Sequence, residues 1–348
     1  MKILELNFSG EWRGGERQTL LNMKGLQQRN HQVFLLCRKN SSLNQMAGQA
    51  GFSCFTFSNI FGAFWFLITH ARRFDLLHAQ TAHILTYCVI SKPFHQKKIV
   101  YTRRVNFIQS GVFTKIKYRF TDKLVAISTS VQQNLSTFTR RNDVVKISDI
   151  VIKENNAQGI AAQIAQLNPG QKKIIGIVAA LTYEKQPLVC LNAIQQLRHQ
   201  HHDFICLHFG DGPLLKEMQE KITAMGMGEY YRLMGFRQDS LSWFEYFNVF
   251  IMPSLNEGLG SSVLDAYINK VPVVSSTCGG LADIVSEEKA MVCHQPTAEE
   301  FCEKTAALFN TPGLAGPLTD HAFRFVVHYH SMDYITNQYE QLFNELLQ

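Results

Sequence analysis

The chain has 348 residues, of which 46% are hydrophobic and 18% are charged, a composition that supplies buried cores and excludes an intrinsically disordered protein. Its longest apolar run, residues 60–68, has only about half the length that a membrane-spanning helix needs. Residues 1–165 carry 22 Lys and Arg against 8 Asp and Glu (net +14), whereas residues 166–348 carry 12 against 20 (net −8). A basic half joined to an acidic half indicates an anionic partner.

Short apolar or β-branched runs alternate with amphipathic stretches, which is typical of parallel sheets built from β-α units. The predicted strands of the first half are 3–7, 33–37, 54–57, 76–79, 99–102 and 124–128. After a polar stretch over 153–172, those of the second half are 174–180, 204–209, 231–234, 249–253, 273–276 and 291–294. An amphipathic helix is predicted over 329–347. The sequence therefore predicts an α/β protein with two doubly wound, Rossmann-like domains facing each other across a deep cleft.

Cysteines and histidines give no metal or disulfide pattern in this sequence. The eight cysteines include no Cys-x-x-Cys pair, which predicts reduced core thiols in a cytoplasmic protein. His199, His201 and His202 cluster after a helical stretch, and we interpret them as a surface turn rather than a metal site. Basic pairs such as Arg103-Arg104 lie among aromatic residues without any nucleic-acid-binding motif. We therefore predict an anionic membrane surface or an anionic acceptor as the partner, and no nucleic acid.

The segment over residues 253–267 carries the most chemistry. Gly258 and Gly260 allow the backbone to approach a ligand closely, and a helix beginning at Ser261-Ser262 offers free amides to a phosphate. Glu257, at the mouth of this loop, can accept hydrogen bonds from sugar hydroxyls. Asp265 lies two turns into the helix, where it can bind a ribose diol. The alternative is an ordinary strand-to-helix turn with a capping serine.

Four other segments repeat the pattern of a strand followed by a glycine turn or a cation. They are the turn with Lys185, the Phe-Gly-Asp-Gly-Pro turn over 209–213, the Met-Gly-Phe-Arg turn over 234–237 and the Cys-Gly-Gly-Leu-Ala-Asp loop over 278–283. Near the N-terminus, Gly14-Gly15 lie in a similar loop. All these segments follow predicted strands, so they are expected at the carboxyl ends of the sheets, where ligands bind.

This set of segments, in this order, resembles the retaining glycosyltransferases of family 4 (glycosyl transferases group 1), which have the GT-B fold. Glu257 and Asp265 match the E-x7-E signature of that family, with Asp in place of the second Glu. Residues 209–213 are similar to its GxGP turn and residues 279–283 to its GGxxE loop. Gly14-Gly15 resemble its N-terminal glycine loop, and residues 329–347 resemble its terminal helix.

The resemblance implies a division of labour along the chain. Residues 1–165 would form a basic acceptor-binding domain, residues 166–327 a nucleotide-sugar-binding domain, and residues 328–348 a helix that crosses back to the first domain. The implied donor-binding residues are Gly14, Gly15, Gly210, Gly212, Phe236, Gly258, Leu259, Gly260, Ser261, Ser262 and Asp265. The implied acceptor-binding residues are Glu16, His83 and Arg103.

The implied enzyme transfers a sugar from a nucleotide diphosphate sugar to a glycan or lipid-linked acceptor, with retention by front-face displacement, in lipopolysaccharide or cell-envelope polysaccharide synthesis. Glu257, Lys185 and Arg104 are the predicted catalytic residues. Since the chain contains no Asp-x-Asp, we expect no metal and no cofactor besides the nucleotide sugar. The basic half predicts a cytoplasmic protein peripheral to the inner face of the cytoplasmic membrane.

Two departures from the family pattern keep alternatives open. Ala180 stands where relatives have an arginine against the diphosphate, and Arg103-Arg104 stand where many have a histidine. We predict that Arg104 compensates for Ala180, although a surface charge pair is the alternative for these arginines. Glu16 alternatively pairs with Arg13 or Arg17. For the whole chain, the alternatives are a non-catalytic sugar-nucleotide binder and a sugar-nucleotide epimerase on the same scaffold.

Overall fold

The structure is a computed structural model that describes residues 1–107, 110–154, 159–200 and 203–348. His201 and His202, two of the three clustered histidines, lie outside these residues. The chain forms two compact units. The first consists of Met1–Ile150 and His330–Gln348, and the second of Val151–Tyr329. Among the described residues, no helix combines the length and the apolar composition needed to span a bilayer.

The first unit is built on a seven-stranded parallel sheet with the order β3-β2-β1-β4-β5-β6-β7. Its strands are β1 (Lys2–Leu6), β2 (Gln32–Arg38), β3 (Ser53–Phe57), β4 (Leu76–Ala79), β5 (Lys98–Arg103), β6 (Lys123–Ala126) and β7 (Val145–Lys146). Its helices in the first part of the chain are α1 (Gly14–Gln28), α2 (Ser42–Gln49), α3 (Ile60–His70), α4 (Ala82–His95), α5 (Val112–Arg119) and α6 (Thr129–Thr139).

The second unit repeats the design with a six-stranded parallel sheet of order β10-β9-β8-β11-β12-β13. Its strands are β8 (Lys173–Val178), β9 (Phe204–Phe209), β10 (Tyr231–Gly235), β11 (Val249–Met252), β12 (Val273–Ser276) and β13 (Met291–Cys293). Its helices are α7 (Ile160–Leu167), α8 (Pro187–His199), α9 (Leu215–Ala224), α10 (Ser261–Ile268), α11 (Ala298–Asn310) and α12 (Ala315–Tyr329). The last helix of the chain, α13 (Met332–Leu347), belongs to the first unit.

Both sheets confirm the predicted α/β class with two doubly wound halves. In the first sheet the strand order reverses between β1 and β4, and in the second between β8 and β11. Successive connections leave in opposite directions at such a point, so a crevice opens at the carboxyl ends of the two strands. All twelve predicted strands are present. The sequence missed the two-residue strand β7 and the helix α12, which precedes the predicted terminal helix.

The unit boundaries differ from the predicted ones at residues 165 and 328. The Gln18 side chain donates to the carbonyl of Ile150 (2.8 Å) and accepts from its amide (2.9 Å), which fixes Ile150 in the first unit. Helix α7 lies in the second unit, where Arg237 donates to Gln163 (2.9 Å). The terminal helix begins at Met332 rather than residue 329, because the Ser331 hydroxyl accepts from the Tyr334 amide (3.3 Å) and caps the helix there.

The terminal helix α13 packs against α1 and covers polar residues of the first sheet. His78 on β4 contacts Glu5 through Nδ1 (2.9 Å) and Thr102 through Nε2 (2.8 Å), and the Thr102 hydroxyl contacts the Tyr339 hydroxyl of α13 (3.0 Å). All four side chains are buried. These bonds satisfy the polar groups inside the core, so His78 is a core histidine.

Candidate active site

Lys185 and Glu257 meet where the strand order of the second sheet reverses. Lys185 ends the short 3-10 helix Tyr183–Lys185 after β8, and Glu257 lies in the loop after β11, which pairs directly with β8. The Lys185 Nζ lies 2.5 Å from the Glu257 Oε1, and both side chains are mostly buried. The structure thus brings together two of the three predicted catalytic residues. The ammonium of Lys185 has three donors. Among the residues that the structure describes, Glu257 occupies one of them, so two remain for a ligand.

Ser254 orients Glu257, and the sequence analysis missed it. Its hydroxyl is fully buried and donates to the Glu257 Oε1 (2.8 Å), while the Ser276 hydroxyl donates to the Ser254 carbonyl (2.5 Å). Within the described part of the chain, no hydrogen bond reaches the Glu257 Oε2. One carboxylate oxygen is therefore fixed by protein groups and the other is left for a ligand. In the sequence, the one feature that points to Ser254 is its position three residues before Glu257.

The loop that carries Glu257 and the 278–283 loop approach each other closely at their glycines. Gly260 has φ +91° directly before α10, and a Cβ added there would lie 2.4 Å from Leu281. A Cβ on Gly280 would lie 2.0 Å from the Gly258 carbonyl oxygen, and the Gly280 amide donates to the Glu257 carbonyl (2.9 Å). Only glycine allows this approach. The 278–283 loop therefore supports the Glu257 loop.

Helix α10 begins at Ser261, beside the loop that carries Glu257. The first amides of a helix have no partners within it, and with the helix dipole behind them they favour a phosphate. Ser261 and Ser262 are partly accessible, whereas the side chains of Leu259 and Asp265 are buried. Leu259 can thus offer a ligand only its backbone. A cation, a carboxylate and open amides lie along one stretch of the sheet edge, which suits a phosphorylated sugar.

Gly210 and Gly212 pack against the loop between β8 and Lys185. A Cβ on Gly210 (φ +150°) would lie 1.9 Å from the Ala179 carbonyl oxygen, and one on Gly212 would lie 2.5 Å from the Leu181 carbonyl oxygen. Beneath them, His208 contacts the same Ala179 carbonyl through Nε2 (3.1 Å) and the Tyr231 hydroxyl through Nδ1 (2.7 Å). Burial lowers the pKa of His208 to about 4, so it is neutral at pH 7. The structure gives both glycines a packing role.

The remaining predicted donor-binding residues lie at exposed edges. Phe236 follows β10 and has 57% of its surface exposed, although it is a large aromatic side chain. Gly14 and Gly15 open helix α1 after β1, and a Cβ on Gly15 would meet no atom within 4 Å. Gly15 therefore is not required for packing, unlike Gly210 and Gly212. Ala180 is exposed in the loop that leads to Lys185.

Glu16 and His83 flank the corresponding reversal point of the first sheet. The buried carboxylate of Glu16 accepts from the Arg13 amide (3.1 Å) and the Asn7 side chain (3.2 Å). It thereby holds the loop that carries Gly14 and Gly15. His83 is exposed at the start of α4, with its ring 6.1 Å from that of Phe8.

The two predicted arginines of the first unit are not a surface charge pair. Arg104 Nε donates to the Asp149 carboxylate (3.2 Å), and its Nη1 donates to Gln80. Arg103 is only 3% exposed, and its Nη1 donates to the Tyr118 hydroxyl (3.1 Å). The Nε and Nη2 of Arg103 have no hydrogen-bond partner among the residues described. A buried guanidinium with two unused nitrogens, which carry three N–H donors, is costly unless an anion completes it.

Comparison with known proteins identifies the class of protein that this fold and site define. Residues 12–148 match the family Glycosyltransferase Family 4, and residues 159–322 match the family Glycosyl transferases group 1. The chain therefore belongs to the family 4 glycosyltransferases. This confirms the resemblance seen in the sequence and supports the prediction of a transferase enzyme.

Curated relatives match part of the chain. A 2-deoxystreptamine N-acetyl-D-glucosaminyltransferase of Niallia circulans is 27% identical over 36% of this chain and 33% of its own length. The lipopolysaccharide core biosynthesis mannosyltransferase LpcC of Rhizobium leguminosarum is 24% identical over 45% of this chain and 46% of its own length. The chain thus spans only about a third to a half of the length of these relatives.

Solved structures match nearly the whole chain in fold. HepE of Anabaena in complex with UDP-glucose superposes with a TM-score of 0.87 at 17% identity, covering 99% of this chain and 100% of HepE. A lipopolysaccharide outer core galactosyltransferase, WaaB, superposes with a TM-score of 0.71 at 13% identity, covering 99% of this chain and all of its own. These likenesses show the GT-B fold.

Proposed function

We propose that the protein is a retaining glycosyltransferase that moves a sugar from a nucleotide diphosphate sugar to a glycan or lipid-linked acceptor in the synthesis of lipopolysaccharide or another cell-envelope polysaccharide. The contact between Lys185 and Glu257 beside the start of α10 carries this proposal. The names of the lipopolysaccharide enzymes among the relatives support the choice of pathway.

Negative charge develops on the diphosphate as the bond to the donor sugar breaks. The two free donors of Lys185 and the first amides of α10 would stabilise that charge, which is the largest contribution a protein makes to such a step. The residues are held before the ligand arrives, so little reorganisation is needed. We expect this to proceed without a divalent metal, and transfer in the presence of EDTA checks that point.

Glu257 would hold the donor sugar in register. Its Oε1 is fixed by Ser254 and Lys185, so its Oε2 can accept from a sugar hydroxyl at a defined position. In front-face displacement the leaving diphosphate takes the proton of the acceptor, and the protein needs no second catalytic carboxylate. Retention then follows from attack on the face of the sugar from which the diphosphate departs.

The configuration of the product tests this proposal. UDP-glucose is the donor to use first, because HepE was solved with it. The protein is incubated with UDP-glucose and a panel of soluble glycans and lipid-linked saccharides, and the anomeric proton coupling of the new glycoside is read by NMR. We expect an α-glucoside, since the donor is α-linked. A β-glucoside would contradict retention, and UDP release that is independent of any acceptor would favour the epimerase or another donor-processing activity.

Arg104 is proposed as the second positive charge against the diphosphate, replacing the arginine whose place Ala180 takes. Arg104→Ala is expected to lower turnover about 10²–10³-fold, and adding Ala180→Arg should partly restore it. Because Arg104 also contacts Asp149, the free energy of unfolding of each variant must be measured alongside. A double variant no faster than Arg104→Ala would assign Arg104 to the acceptor, and wild-type turnover in Arg104→Ala would remove it from the site.

The acceptor is proposed to carry a negative charge, and the buried guanidinium of Arg103 supports this. Arginine binds phosphate or carboxylate through two parallel donors, and the Nε and Nη2 of Arg103 have no hydrogen-bond partner among the described residues. Glu16 and His83 are proposed to contact the acceptor from the loops after β1 and β4.

We propose that the first unit attaches to the inner face of the cytoplasmic membrane through α3 and α5, which both pack against α4. Phe61 and Trp65 of α3 are 81% and 67% exposed, and Phe113 of α5 is 88% exposed. Lys115 and Arg119 are exposed on α5 as well, which suits a helix lying on an anionic bilayer. Lys117 contributes less, since its Nζ donates to the Ala82 carbonyl (3.0 Å) and burial lowers its pKa.

Replacing Phe61, Trp65 and Phe113 together by serine is expected to weaken attachment at least about tenfold, because each ring loses its burial in the bilayer interface. Flotation with vesicles of phosphatidylcholine and anionic phosphatidylglycerol measures it. The matched control replaces Val327 and Tyr329 by serine as well. These are exposed apolar residues of α12 in the second unit, and this variant should float like the wild type. Wild-type attachment by the triple variant, or attachment that ignores lipid charge, would contradict the proposal.

A further inference from the structure

A pocket outside the residues assigned so far opens at the carboxyl ends of β2 and β3 in the first unit. Its volume is about 460 Å³, and Gly10, Arg38, Lys39, Asn40, Ser41 and Ser58 lie in its wall. It adjoins the loop after β1, which also carries Gly14 and Gly15. The pocket therefore lies on the sheet edge where parallel α/β folds bind ligands.

The charge of this pocket is entirely positive. Arg38 and Lys39 line it, and no Asp or Glu does. Neither cation forms an ion pair with any of the residues that the structure describes. Arg29, Lys92 and Arg141, in contrast, each contact a carboxylate within 2.7 Å. Two adjacent cations in a concave site without a counter-charge attract an anion.

Arg38 contacts an aromatic ring beside this pocket. Its guanidinium carbon lies 5.1 Å from the centre of the Phe8 ring, which is a cation–π distance. Gly10 also lies in the pocket wall, and a Cβ there would meet the Arg38 Nη1 at 3.5 Å, an ordinary van der Waals contact. Asn40 has φ +60°, a strained conformation for a non-glycine residue, and it turns the chain at the pocket wall.

Phe8 connects this pocket to the proposed acceptor residues. The same ring that contacts Arg38 lies 6.1 Å from the ring of His83 and 6.3 Å from that of Tyr87. Phe8 therefore contacts both Arg38 of the pocket and His83, one of the predicted acceptor-binding residues.

We propose that this pocket binds an oxyanion, a phosphate, sulfate or carboxylate, on a sugar of the acceptor glycan. The proposal rests on the proposed transferase function, which supplies the acceptor. It names a chemical class of acceptor, a negatively charged saccharide. The pocket would select this class through the exposed side chains of Arg38 and Lys39 and would leave neutral saccharides without a charged contact.

Binding of matched probes tests the pocket. Glucose 6-phosphate, glucuronate and glucose are titrated by ligand-observed NMR into the protein saturated with UDP, which occupies the donor phosphate site. We expect glucose 6-phosphate and glucuronate to bind at least about tenfold more tightly than glucose, because a charge-assisted contact is lost in the neutral sugar. The double variant Arg38→Gln/Lys39→Gln is expected to lose this preference. The control Lys216→Gln/Arg324→Gln removes an exposed lysine and arginine of the second unit and should keep it.

Two results would contradict the proposal that this pocket binds an oxyanion. One is equal affinity of the wild type for glucose and both anionic probes. The other is an undiminished preference in the Arg38→Gln/Lys39→Gln variant. A separate titration with the panel of nucleotide sugars keeps the two proposals apart. Donor binding without anion preference would contradict the pocket alone. Anion preference without binding of any nucleotide sugar would contradict the proposed transferase function while leaving an anion site in the first unit.

Discussion

Lys185→Ala is expected to lower kcat about 10²–10³-fold, the cost of removing one donor from a site that stabilises developing negative charge. The Lys185 Nζ is held against Glu257 at 2.5 Å and mostly buried, so water replaces it poorly. The measurement is steady-state UDP release with a competent acceptor. Lys216→Ala, which removes an exposed lysine of the same unit, is the matched control and should keep the wild-type rate. Unchanged turnover in Lys185→Ala would remove this residue from the chemistry.

Variants of Glu257, which contacts Lys185, distinguish a role in orienting the donor sugar from a role in stabilising charge on the diphosphate. Glu257→Ala should lower the rate of transfer about tenfold or more, which corresponds to a loss of about 1.4 kcal/mol or more of transition-state stabilisation. Free UDP should bind nearly as before, because UDP lacks the sugar. Ser254→Ala should have a smaller effect in the same direction, because it frees the Glu257 carboxylate without removing it. Equal losses of rate and UDP affinity in Glu257→Ala would mean that this residue serves the nucleotide rather than the sugar.

Gly210→Ala is expected to lower the free energy of unfolding by about 3 kcal/mol, because overpacking and a forbidden backbone conformation act together. The new Cβ would lie 1.9 Å from the Ala179 carbonyl oxygen, at a residue with φ +150°. Urea unfolding of both proteins measures the difference. Gly48→Ala is the control, since that glycine lies in α2 with open space around its Cβ, and it should be neutral or slightly stabilising. A Gly210→Ala protein as stable as the wild type would contradict the close approach of the two loops.

The sequence predicted the strands and the meeting of Lys185 with Glu257 for one physical reason. Parallel strands place their carboxyl ends at one edge, so two polar residues that follow neighbouring strands must lie close together. The strand order decides which strands are neighbours. The structure then showed that β8 pairs with β11.

The features that the sequence missed depend on tertiary packing. The alternative interpretation of Arg103 as half of a surface charge pair is wrong, because Arg103 ends the buried strand β5 and its guanidinium donates to the hydroxyl of the buried Tyr118. The end of the first unit at Ile150 is set by a side chain 132 positions earlier in the chain, Gln18. Similarly, the close packing of Gly210 and Gly212 against the Ala179–Leu181 backbone is a tertiary contact that the sequence does not show. The predicted contact of these glycines with the donor stays a prediction.

The central claim is that the second unit binds a nucleotide diphosphate sugar at Lys185, Glu257 and the start of α10. Thermal unfolding with a panel of nucleotide sugars, in EDTA, tests it most directly. A ligand at 100 times its Kd adds about 2.7 kcal/mol to the free energy of unfolding, so a true donor should raise the Tm of the wild type clearly. The same donor should raise the Tm of Lys185→Ala much less. No stabilisation by any nucleotide sugar, or the same stabilisation in Lys185→Ala as in the wild type, would contradict this assignment of the site.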